Sequence, residues 1–332
     1  MPTCSTGPCW TATTINSANG FQAQSVGAIN GVWVVGGIEN TGQAAIQYSV
    51  DGTTWTTVPV GYLGGYGILT LATGNGLIMG MSNFAQHILS SDGINWTVYN
   101  HYPPVGGDQS LAFGNGYFIF RAFDDLAYSA DGINWFGTTS VGSGNYMNRG
   151  LAYGNGLYVG VGSSGFCYTP NVATPLTLVP YANFSAQNIA CGNGVFVSTE
   201  AGLGATSNIY ISNDGMNWTT IPAGLPISTT GAQLWWNSLV FSQGRFLISK
   251  NDTNELAVSS DGINWTLTTG DSLFDAPSNV GAFYMATDND GLYTAVRPFD
   301  GLAQTGVCPC AVPGDYWVKL SGVTLSGVTI GT

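Results

Sequence analysis

Five segments of this chain place a carboxylate where it could either exchange protons or hold a turn. Each reads Ser-x-Asp-Gly-x-x-Trp: Ser49 to Trp55, Ser90 to Trp96, Ser129 to Trp135, Ser212 to Trp218 and Ser259 to Trp265. Their acids are Asp51, Asp92, Asp131, Asp214 and Asp261. A carboxylate can act as acid, base or metal ligand, but beside a glycine it also accepts backbone N–H bonds within a turn. Asp-Gly between strand-like runs is a hairpin signal, because glycine adopts positive φ without steric cost. The closing tryptophan can lay its apolar face beneath the hairpin, against a neighbouring strand. Turn-holding, not proton transfer, is the expected role of these aspartates.

Other reactive types are sparse. His87 and His101 are the two histidines, and neither lies in a motif. The glycine turns carry no Lys-Ser/Thr pair and precede strands, so phosphate binding is not indicated. A glycosidase needs two facing carboxylates, which Asp124, Asp125, Glu200 or Asp275 would have to supply. Cys4 and Cys9 lie near one end of the chain and Cys308 and Cys310 near the other. One or two disulfides between these pairs are expected; zinc is the alternative, although Cys-x-Cys with Cys-x4-Cys is poor zinc spacing. Cys167 and Cys191 fall in strand-like runs and read as buried thiols. No catalytic residue, metal or cofactor is expected.

The elements that position these residues repeat. Gly-Asn-Gly followed by an apolar strand occurs at Gly74, Gly114, Gly154 and Gly192, with looser copies ending at Gly31, Gly244 and Gly291. The final glycines, at 31, 76, 116, 156, 194, 244 and 291, stand 38 to 50 residues apart. That interval accommodates one four-stranded blade. The expected fold is therefore all-β: a single seven-bladed β-propeller of four-stranded antiparallel blades. A worn copy of the Asp-Gly motif, Tyr168-Thr169-Pro170-Asn171, occupies its place in the fourth repeat.

The Ser-x-Asp-Gly-x-x-Trp segments resemble the Asp box of sialidase-type propellers, and similar box-repeat propellers occur in phage virion and tail proteins. Here Trp follows Ser by six positions, one fewer than in the usual box. The resemblance implies structural hairpins at the blade periphery. It carries no catalytic set, because none of the four arginines stands in the Arg-Ile-Pro context of sialidases.

Register places the closure of the ring. Trp55, Trp96 and Trp135 precede the next turn glycine by 20 or 21 residues, and Trp10 precedes Gly31 by 21. Residues 8–14 are thus expected to complete the last blade as a velcro strand, which removes the exposed edge of an open array. The propeller is assigned to 1–317. Residues 318–332, with Leu320-Ser321-Gly322-Val323-Thr324 echoed from Leu325, form an extended tail, read either as a strand that docks on a neighbouring subunit or as a frayed terminus.

Composition narrows the partners. Charged residues are 7% of the chain and the net charge is −12, with six Lys and Arg. Phosphate tracking needs several cations, so nucleic acid is not an expected partner. No apolar run approaches the ~20 residues needed to span a bilayer, and membrane insertion is not expected. Met1-Pro2-Thr3-Cys4-Ser5 lacks the basic and apolar regions of a signal peptide.

The face built by two–three loops and blade connections varies between repeats, and loops on a rigid scaffold carry binding. Its candidate ligand residues are Tyr62, Tyr66, Tyr102, Arg121, Asp124, Asp125, Arg149, Trp235, Trp236 and Arg297; packing between blades is the alternative role of these aromatics, Trp235 and Trp236 above all. The expected function is a non-enzymatic virion structural protein, a bacteriophage tail or head-fibre adhesin for host-surface glycan or protein. Other virion subunits, including further copies of the chain, would hold its tail. A sialidase-like or other glycoside hydrolase, and a scaffold for assembly of a bacterial complex, are the alternatives.

Overall fold

Repeated hairpins account for nearly all regular structure in the computed structural model. It describes residues 12–14, 18–51, 54–61, 63, 67–68, 70–82, 86–99, 110–122, 125–137, 150–174, 176–181, 186–200, 208–222, 236–242, 244–250, 255–269, 284–287, 292–296, 304–305, 308–309 and 316–320.

Six antiparallel sheets each contain four strands in chain order. The first comprises Gln22–Ile29, Val32–Ile38, Ala44–Ser49 and Thr56–Gly61. The second comprises Thr70–Gly74, Leu77–Met81, His87–Ser90 and Thr97–Tyr99. The third runs from Leu111–Gly114 to Phe136–Gly137, the fourth from Gly150–Gly154 to Thr177–Pro180. The fifth runs from Ala186–Gly192 to Thr219–Ile221, the sixth from Trp236–Ser242 to Thr266–Thr269. First strands of consecutive sheets lie against one another, and Tyr284–Thr287 lies against both Trp236–Ser242 and Gln22–Ile29.

Local chemistry explains the hairpins. Asn30, Asn75, Asn115, Asn155 and Asn193 have φ of 45–51°, and the glycines after them 72–81°. Two successive positive φ values define a type I′ turn, whose twist matches that of the flanking strands. Asparagine and glycine are the residues that tolerate this at least cost.

The core is divided into layers between sheets. Val34, Ile46, Ile78 and Ile88 join the first sheet to the second; Met79, Leu89, Phe118 and Phe120 join the second to the third. Ile119, Leu126, Tyr158 and Cys167 lie between the third and fourth. Val159, Phe166, Phe196 and Tyr210 fill the next layer, and Val197, Ile209, Phe246 and Ile248 the one after. Both faces of each inner sheet are therefore dry, which explains strands that are buried at nearly every position, such as Leu157–Val161.

The last sheet departs from the simple meander. Tyr284–Thr287 pairs with Leu292–Val296, and Tyr316–Leu320 then adds parallel to that strand, with Leu292 opposite Tyr316 and Val296 opposite Leu320. Ala12–Thr14 pairs antiparallel with Gln304–Thr305 and parallel with Tyr316–Leu320. Spacing alone would give the place beside Leu292–Val296 to a third strand ending at Cys308 and Cys310. Tyr316-Trp317-Val318-Lys319-Leu320 alternates bulky β-formers, whereas 304–313 holds Gly306, Pro309 and Pro313, which weaken a central strand. The position dividing propeller from tail in the sequence, 317/318, falls within this strand. Residues 8–11 and 321–332 lie outside the described residues.

Candidate functional site

The Asp-Gly segments form one hydrogen-bonded unit, repeated. In the second sheet Ser90 Oγ donates to Asp92 Oδ1 (2.9 Å) and accepts from Gly93 N–H (2.8 Å). Asp92 Oδ1 also accepts from Ile94 and Asn95 N–H, and Oδ2 accepts from Asn95 Nδ2, each at 2.8 Å. Asp131, Asp214 and Asp261 accept the same four bonds from the matching residues. Asp51 accepts from Ser49 Oγ and Thr54 N–H.

These bonds favour the ionised carboxylate. The backbone N–H and side-chain amide of Asn95 lead in holding Asp92 well below the ordinary aspartate range, and Asn217 and Asn264 do the same for Asp214 and Asp261. At Asp131 partial desolvation pushes the other way, and the bonds from Asn134, Ile133 and Ser129 outweigh it. A carboxylate so held is a poor proton donor at neutral pH, and its lone pairs are already engaged.

Four of the boxes also wedge against the preceding sheet. Trp96 packs on the layer between first and second sheets, Trp135 on the next, and Trp218 and Trp265 on those before the fifth and sixth. Trp96, Trp135 and Trp265 Nε1 donate to the carbonyls of Gly93, Gly132 and Gly262. A Cβ on Gly93 would press on Ile29, Val32 and Val34 of the first sheet, and one on Gly132 on Leu89 of the second. The boxes are thus inter-sheet contacts as well as hairpins. The worn fourth copy keeps part of this: Asn171 Oδ1 accepts from Ala173 N–H (2.9 Å), and buried Leu176 enters the layer that tryptophan fills elsewhere.

A second contact runs the opposite way. Asn75 Nδ2 donates to the carbonyls of Gly116 (2.8 Å) and Ala130 (2.9 Å), clamping its turn to both turns of the next sheet. Asn155 reaches Gly194 and Asn213, and Asn193 reaches Gly244 and Ser260, in the same way. Asn30 donates to Ser91. Sequence reading assigned these asparagines to turn geometry alone. The recurrence of Asn, where Gly or Asp would also permit the turn, was the available signal.

His87 is likewise tied to a motif. It is buried, its Nε2 donates to the Gly132 carbonyl (2.8 Å), and its ring stacks on Tyr99. Cys167 is buried as expected, whereas Cys191 is half-buried rather than buried, and desolvation raises its thiol to about 11. Both are inert at neutral pH.

At the other end of the sheets lie three candidate ligand residues whose strand positions are described. Arg121 pairs with Leu126 and Asp125 with Ala122 around the two–three loop of the third sheet. Trp236 opens the sixth sheet opposite Lys250. All three stand at the strand ends remote from the Asn-Gly turns. Tyr62, Tyr66, Tyr102, Asp124, Arg149, Trp235 and Arg297 lie outside the described residues, as do Asp275, His101, Cys4, Cys9 and Cys310. Cys308 pairs by its backbone with Trp317. Glu39 and Glu200, at the same end, hold loops: Glu39 accepts from Asn19 Nδ2 and Glu200 from Asn208 N–H. Among the described residues no three His, Cys, Asp or Glu side chains cluster to hold a metal, and no helix is long and apolar enough to cross a membrane.

Solved structures similar to the whole chain are β-propellers. YCF48 bound to a D1 peptide aligns over 99% of this chain and 100% of its own, at 15% identity and a TM-score of 0.63. A virginiamycin B lyase from Staphylococcus aureus, in a catalytically inactive His-to-Ala form with quinupristin, aligns over 95% and 99% at 11% identity and 0.63. The WD40 propeller domain of Doa1 aligns over 95% and 97% at 10% identity and 0.58. No family model and no curated protein matches the chain. Fold and neighbours together define an all-β, propeller-like protein, at identities that speak to architecture alone.

Proposed function

We propose that this chain is a non-catalytic seven-bladed propeller of a virion, an adhesin that binds a host-surface glycan or protein through its variable loop face. The observation that carries this reading is the division of labour between the two ends of the sheets. At one end the box aspartates and turn asparagines spend their polar atoms on one another and on neighbouring sheets. At the other, Arg121, Asp125 and Trp236 bring two charges and an aromatic residue to loops that differ from repeat to repeat. Charged and aromatic residues on one loop face suit sugar hydroxyls or a peptide. The D1 peptide bound by YCF48 supports the protein-binding arm.

Closure by both chain ends belongs to the same proposal. Contact between Tyr284–Thr287 and Gln22–Ile29, with Ala12–Thr14 added to the last sheet, supports a ring of seven blades fastened by the N-terminal strand. The terminal cysteines would staple that fastening.

The test is binding of the labelled chain to a glycan array and to host cell envelopes. Saturable binding that Arg121→Ala or Trp236→Ala weakens, and that Asn75→Gly at the opposite end leaves intact, is expected. Release of reducing sugar from any bound glycan, abolished by Asp125→Asn, would replace the adhesin with a glycosidase. Electron microscopy of the native particle tests the virion setting: absence of the chain from the particle overturns it.

A further inference from the structure

We infer that Asn115–Gly116 is a site of spontaneous covalent modification, deamidation to aspartate and isoaspartate, and that the inter-sheet clamp protects its counterparts. The chain holds six Asn-Gly pairs, at Asn19, Asn30, Asn75, Asn115, Asn155 and Asn193. In such a pair the Gly nitrogen attacks the Asn Cγ. The new C–N bond closes a succinimide, and Nδ2 leaves as ammonia with the Gly amide proton. Water then opens the ring at either carbonyl, so an amide becomes a carboxylate and part of the product carries its backbone through the side chain. Glycine at the second position leaves the attacking nitrogen unscreened, so local sequence makes all six comparably reactive.

Structure does not treat them alike. The amides of Asn75, Asn155 and Asn193 each donate twice to the next sheet, at 2.8–3.0 Å. Asn30 donates once, to Ser91 (3.2 Å), and Asn19 once, to Glu39 (3.3 Å). Asn115 occupies the same turn, with φ 45°, is exposed, and makes no side-chain hydrogen bond among the described residues. The cause is one sheet away. The clamp needs the carbonyl that precedes the box aspartate, as Ala130, Asn213 and Ser260 supply. The fourth sheet has lost its box: Pro170 holds that position, and Val172 stands where the other boxes have a glycine with φ of 71–75°.

Ring closure requires the amide to swing onto the following nitrogen and the turn to open. Both clamp bonds must first break, and each exposed bond slows the reaction by several-fold at typical hydrogen-bond strengths. The expected order of rates in the folded chain is Asn115 first, Asn30 and Asn19 next, and Asn75, Asn155 and Asn193 last, with about ten-fold or more between the extremes. This concerns the turn face and is independent of the proposed binding role.

Peptide mapping by mass spectrometry of the full chain, held at mildly alkaline pH and sampled over time, reads the six rates directly. A parallel sample in denaturant removes the clamp, and there the six should converge. Equal rates in the folded protein, or faster loss at a clamped asparagine, would overturn the inference. So would a lead for Asn115 that persists in denaturant, since it would then belong to local sequence rather than to the missing clamp.

Discussion

A carboxylate that accepts four hydrogen bonds has little left to offer a substrate, and that settles how the box acids contribute. Asp92 lies below the ordinary aspartate value of 3.8 because Asn95, through its backbone and then its side chain, and Ile94 bond to its charged form. A folded-state value below the unfolded one means stabilisation present in full above 3.8 and lost as pH falls below it toward the depressed value. Asp92→Ala should lower stability at neutral pH by about 1–3 kcal/mol. The gap from the parent should narrow in acid, read from urea midpoints at neutral and strongly acidic pH. The turn asparagines allow a cleaner comparison. Asn75→Gly keeps the turn geometry and deletes two clamp bonds, so it should cost about 1–2 kcal/mol. Asn115→Gly deletes none and should change the midpoint by less than about 0.5 kcal/mol.

At the scale of elements, what could be read from sequence was what adjacent residues decide. Asn-Gly and Asp-Gly fix turn type through their own φ preferences, so most hairpins of the first six sheets are legible in the sequence, while the fourth sheet's Pro170-Asn171 turn and the sixth sheet's Gln243-Gly244 turn carry a weaker signal. The clamp was not, because Asn75 meets acceptors 41 and 55 residues away and only the stacking of sheets brings them near. The first glycine of each Gly-Asn-Gly turn was equally opaque. A Cβ on Gly74 would collide with the Phe113 ring, one on Gly114 with Tyr153, and one on Gly192 with Phe241, each in the following sheet. Gly76 faces open space and needs only its positive φ of 72°. Two glycines of one turn therefore carry different constraints. Gly74→Ala overpacks an inter-sheet contact and should cost about 1–3 kcal/mol, rescued in part when Phe113→Leu is added. Gly76→Ala should cost about 1 kcal/mol, with no rescue by the second change; a double-mutant cycle in urea separates them. The candidate ligand loops have no period and no turn signature, so sequence could place Arg121, Asp125 and Trp236 on a face but not in a geometry.

At the scale of the molecule, every core layer among the described residues is shared between neighbouring sheets, so the first six sheets do not bury their apolar faces alone. The first and last sheets then depend on meeting each other, and the residues where they meet should govern global stability. Tyr316–Leu320 lies between Leu292–Val296 and Ala12–Thr14, which makes the two chain ends mutual partners. Repeat counting assigned 318–332 to a spare tail, and 321–332 lie outside the described residues. Tyr316–Leu320, which straddles that boundary, alternates Tyr316, Val318 and Leu320 with Trp317 and Lys319 and takes a sheet position that counting cannot assign. Cys308 sits opposite Trp317 in this same sheet, beside the strand that meets Ala12–Thr14. A disulfide from Cys308 or Cys310 to Cys4 or Cys9 would therefore close a loop of nearly the whole chain, constraining the unfolded state by about 6 kcal/mol in the chain-entropy model. Intact mass after alkylation, with and without reduction, is expected to show at least one such bond in oxidised protein. Reduction should lower the unfolding temperature while leaving the folded circular dichroism unchanged, since the sheet pairing of Ala12–Thr14 does not need the bond. Four alkylated terminal thiols in native, unreduced protein would show that backbone pairing alone fastens the ends.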